Sequence, residues 1–466
     1  MCKIAQKKGK KMSIREKIYE LKNFNKILHT TFNPYEPGVA RIYLIPPKFS
    51  MFKSVSSLVL VNGHDIIPLR ESWAILLSIF IEEVNKYSGK EITKEELEKI
   101  VEKTVKRTKR IYGIFLKDDV IKTDLWDIVN TLKSIAIGED VRNKIPRVSI
   151  SQYAKHMSAP HRMDLMISSM EKDGNWNCNQ KCVHCYAAGQ KQGNQKELTT
   201  AEWKKIIDKC RAVCIPQITF TGGEPTMRKD LVELVNYSKW FVTRLNTNGV
   251  LLTKELCNKL YKASLDSVQI TLYSSNKEIH NKLVGAENFE RTVQGIKNAL
   301  EAGLNVSVNT PLCTSNQEYK ETLKFLNELG VKYVSCSGLI ATGNAKKEDS
   351  KQLQLSKDKL YEILKEAVCY CNENLMEISF TSPGWIENEK IAKLGLDIPS
   401  CGACMSNMAI TPNGNVVPCQ SWLSNDGVLG NMLKDKWKDI WQSKKCKNIR
   451  NINTKVTGKC LLKGEK

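Results

Sequence analysis

The stretch Asn177-Cys178-Asn-Gln-Lys-Cys182-Val-His184-Cys185-Tyr186 places three thiols within eight residues. On a loop that folds back on itself, three thiolates can hold three irons of a cubane and leave the fourth iron open to a ligand. Zinc is the competing reading, but zinc usually gathers four ligands from two close-spaced cysteine pairs, and only His184 stands near these three. A second group follows at Cys401-x2-Cys404, with nine residues to Gly414 and four more to Cys419, and Cys446 and Cys460 trail it. The chain has 16 cysteines. In a reducing compartment disulfides are disfavoured, so clustered cysteines point to metal or catalysis. The others (Cys2, Cys210, Cys214, Cys257, Cys313, Cys336, Cys369, Cys371) sit mostly inside helical or strand patterns and read as small core residues.

The elements that must position these thiols are legible between them. Apolar strand patterns run at Leu165–Met170, Gln217–Thr221, Val242–Asn246, Ser267–Tyr273, Val306–Thr310 and Tyr333–Ser337. Helical patterns lie between. Thr199 and Glu202 form a capping box ahead of Trp203, Ile206, Ile207 and Cys210. Phe289, Val293, Ile296 and Leu300 make one apolar stripe, and Leu360, Ile363, Leu364, Ala367, Val368 and Cys371 another. Six strands separated by five helices predict an α/β fold with parallel strands and right-handed crossovers, a partial (β/α)6 barrel of TIM type or an open sheet. Ligands in such folds gather at the C-terminal strand ends. The first thiols follow the first strand, and Thr221-Gly222-Gly223-Glu224-Pro225 closes the second. Two glycines there let backbone approach a ligand closely, and Glu224 can accept a hydrogen bond from an ammonium.

Cys-x3-Cys-x2-Cys after a first strand resembles the signature of the radical S-adenosylmethionine (SAM) superfamily, and Gly222-Gly223-Glu224-Pro225 resembles its Gly-Gly-Glu-Pro motif. The resemblance covers about residues 160–375. It implies a 4Fe–4S cluster on Cys178, Cys182 and Cys185, with S-adenosylmethionine cleaved at the open iron to methionine and a 5′-deoxyadenosyl radical. It further implies that His184 lies near the adenine, that Gly222, Gly223 and Glu224 meet the methionine end, and that Ser274 and Asn309 contribute to the same pocket. Asn246-Thr-Asn248-Gly249 ends strand three as in relatives. Tyr273 to Gly285, with His280 and Asn281, resembles the segment that follows strand four in peptide-modifying members. For Ser274, His280 and Asn309 a structural role stands beside the binding one. No residue is singled out as a catalytic acid or base.

Cys401 to Cys419 resembles the start of a SPASM domain, with Ala409 to Pro418 reading as a hairpin turning at Asn413-Gly414 and Trp437 to Arg450 resembling the helix that follows. The resemblance implies one auxiliary 4Fe–4S cluster on Cys401, Cys404 and Cys419, with Cys460 or Cys446 as fourth ligand. A structural zinc on Cys401, Cys404, Cys419 and Cys460 is the alternative, and so is a three-thiol site with an open iron. The Cys-x2-Cys-x5-Cys-x3-Cys run of relatives is not continued. Lys463 stands where its second cysteine belongs, and six residues follow Cys460. The lobe is therefore expected to be a single-cluster form or the sequence truncated.

The chain has 466 residues, more than one core usually organises. The expected division is 1–155, 156–380 and 381–466: an N-terminal α+β unit of winged-helix-like pattern, the radical SAM core, and a cysteine-rich lobe. In the first, Ala40–Leu44 and Leu58–Val61 read as strands with a hairpin signal at Asn62-Gly63, followed by helical patterns at Ser72–Tyr87, Thr93–Tyr112 and Leu125–Ile137. Maturases of ribosomally made peptides carry such a unit, which captures a leader peptide as an added strand. No apolar run approaches the roughly 20 residues of a membrane span, and the basic N-terminus lacks a signal sequence's apolar stretch. A cytoplasmic protein is expected. Its net charge of +21, spread over Lys7–Lys11 and Lys434–Lys466 among others, suits an acidic peptide or is lysine-rich composition.

The leading expectation is an enzyme that modifies a ribosomal peptide by a thioether or carbon–carbon crosslink or a related oxidation, fed by a flavodoxin- or ferredoxin-type donor. Sulfatase maturation and small-molecule chemistry are the alternatives within enzymes. A metal-binding nucleic-acid regulator is the alternative from another class, disfavoured because a regulator has no use for Gly222, Gly223 and Glu224.

Overall fold

The computed structural model describes residues 28–32, 40–45, 48–50, 53–55, 57–62, 65–87, 92–113, 116–136, 148–154, 157–172, 174–347, 352–455 and 459–462. Lys7–Lys11, Gly63, Ile137 and Lys463 lie outside the described residues. The chain forms two compact units, Met1–Met157 and Ser158–Lys466.

In the first unit, strands β1 (Leu28–Phe32), β2 (Ala40–Ile45), β5 (Leu58–Val61) and β6 (Asp65–Pro68) form an antiparallel sheet in that order. A separate hairpin joins β3 (Lys48–Ser50) to β4 (Lys53–Val55). Helices Glu71–Asn85, Lys94–Tyr112 and Asp118–Ala136 follow. The first is apolar nearly all round, with Ile75, Leu76, Leu77 and Ile79 fully buried, so it is the central element of the core that Ile42, Leu44, Val59 and Ile67 meet from the sheet. Thr93 and Glu96 close a capping box on the second.

The second unit is built on a ten-stranded sheet in the order β15-β14-β13-β12-β11-β10-β7-β16-β17-β18. These strands are β7 (Arg162–Ser168), β10 (Gln217–Gly222), β11 (Val242–Thr247), β12 (Ser267–Thr271), β13 (Asn305–Pro311), β14 (Tyr333–Ser337), β15 (Glu377–Phe380), β16 (Asn407–Ile410), β17 (Asn415–Val417) and β18 (Gly430–Asn431). A short hairpin, β8 (Glu171–Lys172) with β9 (Asn175–Trp176), leads from β7 into the first cysteine loop. The six expected strands lie side by side and parallel. Two further parallel strands extend them, β15 on β14 and β16 on β7.

Alternation along the strands gives the sheet two characters. Leu165, Phe220, Leu245, Ile270 and Val308 are fully buried. The intervening positions hold Asp164, Thr219, Arg244, Gln269 and Asn309. Arg162 pairs with the buried Asp164 at 2.9 Å, so the first strand begins earlier than its apolar pattern suggests and ends at Ser168 rather than Met170. Helix Thr200–Ala212 starts at the expected capping box and buries Trp203, Ile206, Ile207 and Cys210. The sheet's C-terminal edge is thereby fixed, and both cysteine groups are carried by segments attached to it.

Candidate radical and auxiliary-cluster sites

The first cysteine loop leaves β7 and is tied down at nearly every residue. Asn177 donates from Nδ2 to Ser169 O at 3.1 Å and to Glu197 Oε1 at 3.0 Å, and Glu197 also accepts from Ser169 N. Lys181 N and Val183 N donate to Val284 O and Leu283 O at the end of helix Lys277–Val284. Asn288 Nδ2 donates to Asn179 O, Asn344 Nδ2 to Cys182 O, and Asn344 N to Cys185 O. A loop without regular structure is thus anchored by bonds from several neighbouring segments, as a multi-ligand site requires.

The three thiols converge. Burial pushes Cys178 up to about 12, with the charges of Glu224 and Cys185 adding to the rise. Cys182 is raised by burial and by both other thiols, and Cys185 by burial. Three thiolates are costly in such a place unless a cationic centre balances them, and a coordinating metal removes the protons outright. Among the described residues no three His, Cys, Asp or Glu side chains close on a single metal ion, whose zinc–sulfur distances would be about 2.3 Å. Three thiols on one loop suit three irons of a cubane, with the fourth iron left open.

His184 is 7% exposed, with both ring nitrogens unpartnered and its ring edge-on to Tyr273 at 4.9 Å. Burial lowers it to about 4, so the ring is neutral. Gly222 has φ +138°, and a Cβ there would lie 2.3 Å from Ser168 O; one on Gly223 would lie 2.7 Å from Ser169 O. The two glycines therefore lie directly against the end of β7.

Glu224 is the hub between strand ends. Its Oε1 accepts from Thr226 N at 3.0 Å, Thr226 Oγ1 at 2.5 Å and Thr247 Oγ1 at 2.6 Å. Oε2 accepts from Asn248 N at 2.9 Å. Asn248 Nδ2 donates in turn to Asn179 Oδ1 at 2.6 Å, completing a path from the Gly-Gly-Glu-Pro turn through β11 to the cysteine loop. Burial raises Glu224 while these four bonds oppose the rise. Only Oε2 has an acceptor position in reserve.

The remaining expected positions are less closely joined. Ser274, 7% exposed, accepts from Asn276 N at 3.0 Å. Asn309 Oδ1 accepts from Ser335 Oγ at 2.9 Å across the sheet, rather than bonding to the cysteine loop. His280 is fully buried and accepts from Tyr273 N at Nδ1, while Asn281 Oδ1 caps Asn288 N and Phe289 N. His280 thus supports Tyr273, against which His184 rests. Asn179, Glu197 and Asn344 do much of the positioning and carry no motif. Their signal, an amide or acid inside a loop that must be rigid, becomes visible only once the partners are known.

The second group sits around the β16–β17 hairpin. Cys404 adopts φ +54°, and its N donates to Pro418 O at 3.1 Å, which brings it beside Cys419. Burial raises the Cys419 thiol to about 12, and the thiols of Cys401 and Cys460 add to the rise. Cys404 is raised by contact with Cys446, by burial and by Cys419. Three expected thiols (Cys401, Cys404, Cys460) therefore each lie near the fourth, Cys419, and Cys446 joins through Cys404.

The two stretches that carry the cysteine groups each match a known family. Residues 177–327 match the Radical SAM superfamily model, and 401–461 match SPASM, an iron–sulfur cluster-binding domain. Fe-coproporphyrin III synthase of Methanosarcina barkeri (strain Fusaro / DSM 804) is 32% identical over 192 residues, 40% of this chain and 48% of the relative. The chain thus spans about half the length of that relative. The AdoMet-dependent heme synthase of the same organism is 27% identical over 301 residues, 61% of this chain and 84% of the relative. In fold, the chain is similar to Streptococcus suis SuiB bound to its precursor peptide SuiA, with a TM-score of 0.57 at 16% identity, covering 87% of this chain and 92% of SuiB. Residues 177–327 thus carry a radical SAM enzyme domain, whose resident groups are a 4Fe–4S cluster and S-adenosylmethionine, and residues 401–461 carry a SPASM iron–sulfur cluster-binding domain.

Proposed function

We propose that the chain modifies a ribosomally made peptide, forming a thioether or carbon–carbon crosslink or carrying out a related oxidation. The observation that carries this reading is the α+β unit ahead of the core. The two sequence relatives named above match 40% and 61% of the chain, whereas the likeness to SuiB extends over 87% of it. SuiB is described with a precursor peptide bound. The antiparallel sheet here has β1 and β6 as its edges, and a leader peptide adding as a strand would use such an edge.

When bound, the cluster and S-adenosylmethionine supply a 5′-deoxyadenosyl radical that takes hydrogen from an unactivated carbon. This chain's residues do the holding. Cys178, Cys182 and Cys185 ligate the core cluster. Gly222 and Gly223 give the methionine end close access to backbone, Glu224 Oε2 offers its remaining acceptor position to the ammonium, and His184, Ser274 and Asn309 face the rest of the cofactor. Cys401, Cys404, Cys419 and Cys460 ligate one auxiliary cluster. The working division is 1–155 for leader recognition, 156–380 for the radical core and 381–466 for the auxiliary lobe. A flavodoxin- or ferredoxin-type protein supplies electrons. No helix among the described residues is long and apolar enough to cross a membrane, and so many reduced thiols suit the cytoplasm.

A second reading, a tetrapyrrole or other small-molecule substrate, is favoured by the heme synthase that the chain matches over 84% of its length. The two separate experimentally. The reconstituted protein is incubated with S-adenosylmethionine, reductant and each short peptide encoded beside its gene, and in parallel with coproporphyrin-type tetrapyrroles. The peptide reading expects one peptide to lose the mass of two hydrogens while raising 5′-deoxyadenosine output. Stimulation by a tetrapyrrole and by no peptide would establish the second reading instead.

A further inference from the structure

Helix Lys444–Lys455 presents Cys446, Arg450 and Asn453 on one buried face, at spacings of four and three residues. All three reach the turn that carries Cys401 and Cys404. Asn453 Nδ2 donates to Ala403 O at 2.6 Å. Arg450 donates from one terminal nitrogen to Cys404 O at 3.3 Å and to Cys446 Sγ at 3.5 Å, and from the other to Trp441 O at 3.2 Å. Its guanidinium lies over the Trp441 ring at 3.9 Å. The residue is 8% exposed, and among the described residues no carboxylate pairs with it.

A buried guanidinium whose partners are two carbonyls, a thiol and an aromatic face lacks a counter-charge, and buried charges are ordinarily paired. The one strongly anionic group that belongs here is a cluster ligated by thiolates, Cys404 among them. We propose that Arg450 is the positioning residue of the auxiliary cluster, the buried cation that balances its negative charge and sets its reduction potential. Reduction adds a negative charge to the cluster, so a fixed cation beside a ligand favours the reduced form and raises the potential; net charge and hydrogen bonding near the sulfurs are the protein's usual means of tuning it. The guanidinium also holds the Cys404 carbonyl, and with it the left-handed backbone at that ligand. The inference rests on Cys404 being a ligand of the auxiliary cluster.

The test uses the full chain with Cys178, Cys182 and Cys185 replaced by alanine, so that only the auxiliary centre is present. Midpoint potentials are read by redox titration monitored by electron paramagnetic resonance, with iron counted on the same samples. Arg450→Gln keeps hydrogen-bond donors and loses the charge. It is expected to retain iron while its reduction equilibrium falls at least tenfold, about 59 mV for one electron. Arg450→Lys keeps the charge and is expected to stay close to the parent. Full iron with an unchanged potential in Arg450→Gln would overturn the proposal, as would loss of iron from both variants, which would make Arg450 a purely structural clamp. Absence of iron from the background protein would instead remove the auxiliary cluster itself, and the proposal with it.

Discussion

Replacing Cys178, Cys182 and Cys185 together by alanine is expected to abolish 5′-deoxyadenosine formation and to remove about four irons per chain, leaving the auxiliary iron in place. The effect is total rather than graded because the three thiols act as one ligand set. Cys185 raises the cost of ionising both Cys178 and Cys182, and the loop around them is already held by Asn288, Asn344 and the Val284 and Leu283 carbonyls. The loop's anchors do not run through sulfur. The variant should therefore fold, and its circular dichroism should match the parent's while its iron falls. Iron analysis beside a chromatographic 5′-deoxyadenosine assay reads both quantities from one preparation. Unchanged iron with lost activity would mean that the thiols serve some other purpose.

The second large effect is expected from Gly222→Ala. At φ +138° a Cβ would stand 2.3 Å from the Ser168 carbonyl oxygen, and both partners are backbone. The Ser168 hydroxyl could turn away but the backbone cannot, so β10 must move away from β7 at the glycine pair proposed above to meet the cofactor. A displacement of about 1 Å at such a point can cost on the order of 100-fold in rate, and that loss in 5′-deoxyadenosine turnover is the expected result. Iron content should hold, since no cysteine is touched. Gly330→Ala is the control. It too has positive φ (+88°), yet nothing lies within 4 Å of the added carbon. It should cost about 1 kcal/mol of stability and leave turnover unchanged. Equal losses in the two variants would trace the effect to backbone strain rather than to the approach of β10 to β7.

Much of the core could be read from local sequence because its signals are local. The Thr199–Glu202 capping box and the strand Tyr333–Ser337 each depend on a few neighbouring residues and stand where the pattern puts them; the Phe289–Glu301 helix forms too, but of its expected Phe289 to Leu300 stripe only Ile296 is fully buried, beside Thr292, Gly295, Asn298 and Ala299. The spacing of Cys178, Cys182 and Cys185 is equally local. What depended on distant partners was not legible. Strand β15 (Glu377–Phe380) is only four residues long, with Ile378 and Phe380 as its apolar positions, and it becomes a strand by pairing with β14. Strand β16 leaves its own hairpin unit to pair with β7, some 240 residues earlier by register with Arg162–Leu165, a choice made by the burial of Met408, Ala409 and Ile410. Glu224 reads in sequence as an acceptor for a ligand; the fold spends most of its capacity on Thr226, Thr247 and Asn248, and only the topology could say so. Likewise Cys446 and Arg450 share a helix face in any reading of the sequence, but their approach to Cys404 is a matter of tertiary packing.

The most direct measurement is iron and acid-labile sulfide per chain after anaerobic reconstitution, together with 5′-deoxyadenosine formed from S-adenosylmethionine under dithionite. A radical core with one auxiliary cluster predicts about eight irons with matching sulfide, and 5′-deoxyadenosine that depends on both reductant and S-adenosylmethionine. Zinc in place of iron, with no 5′-deoxyadenosine, would contradict the account at its centre.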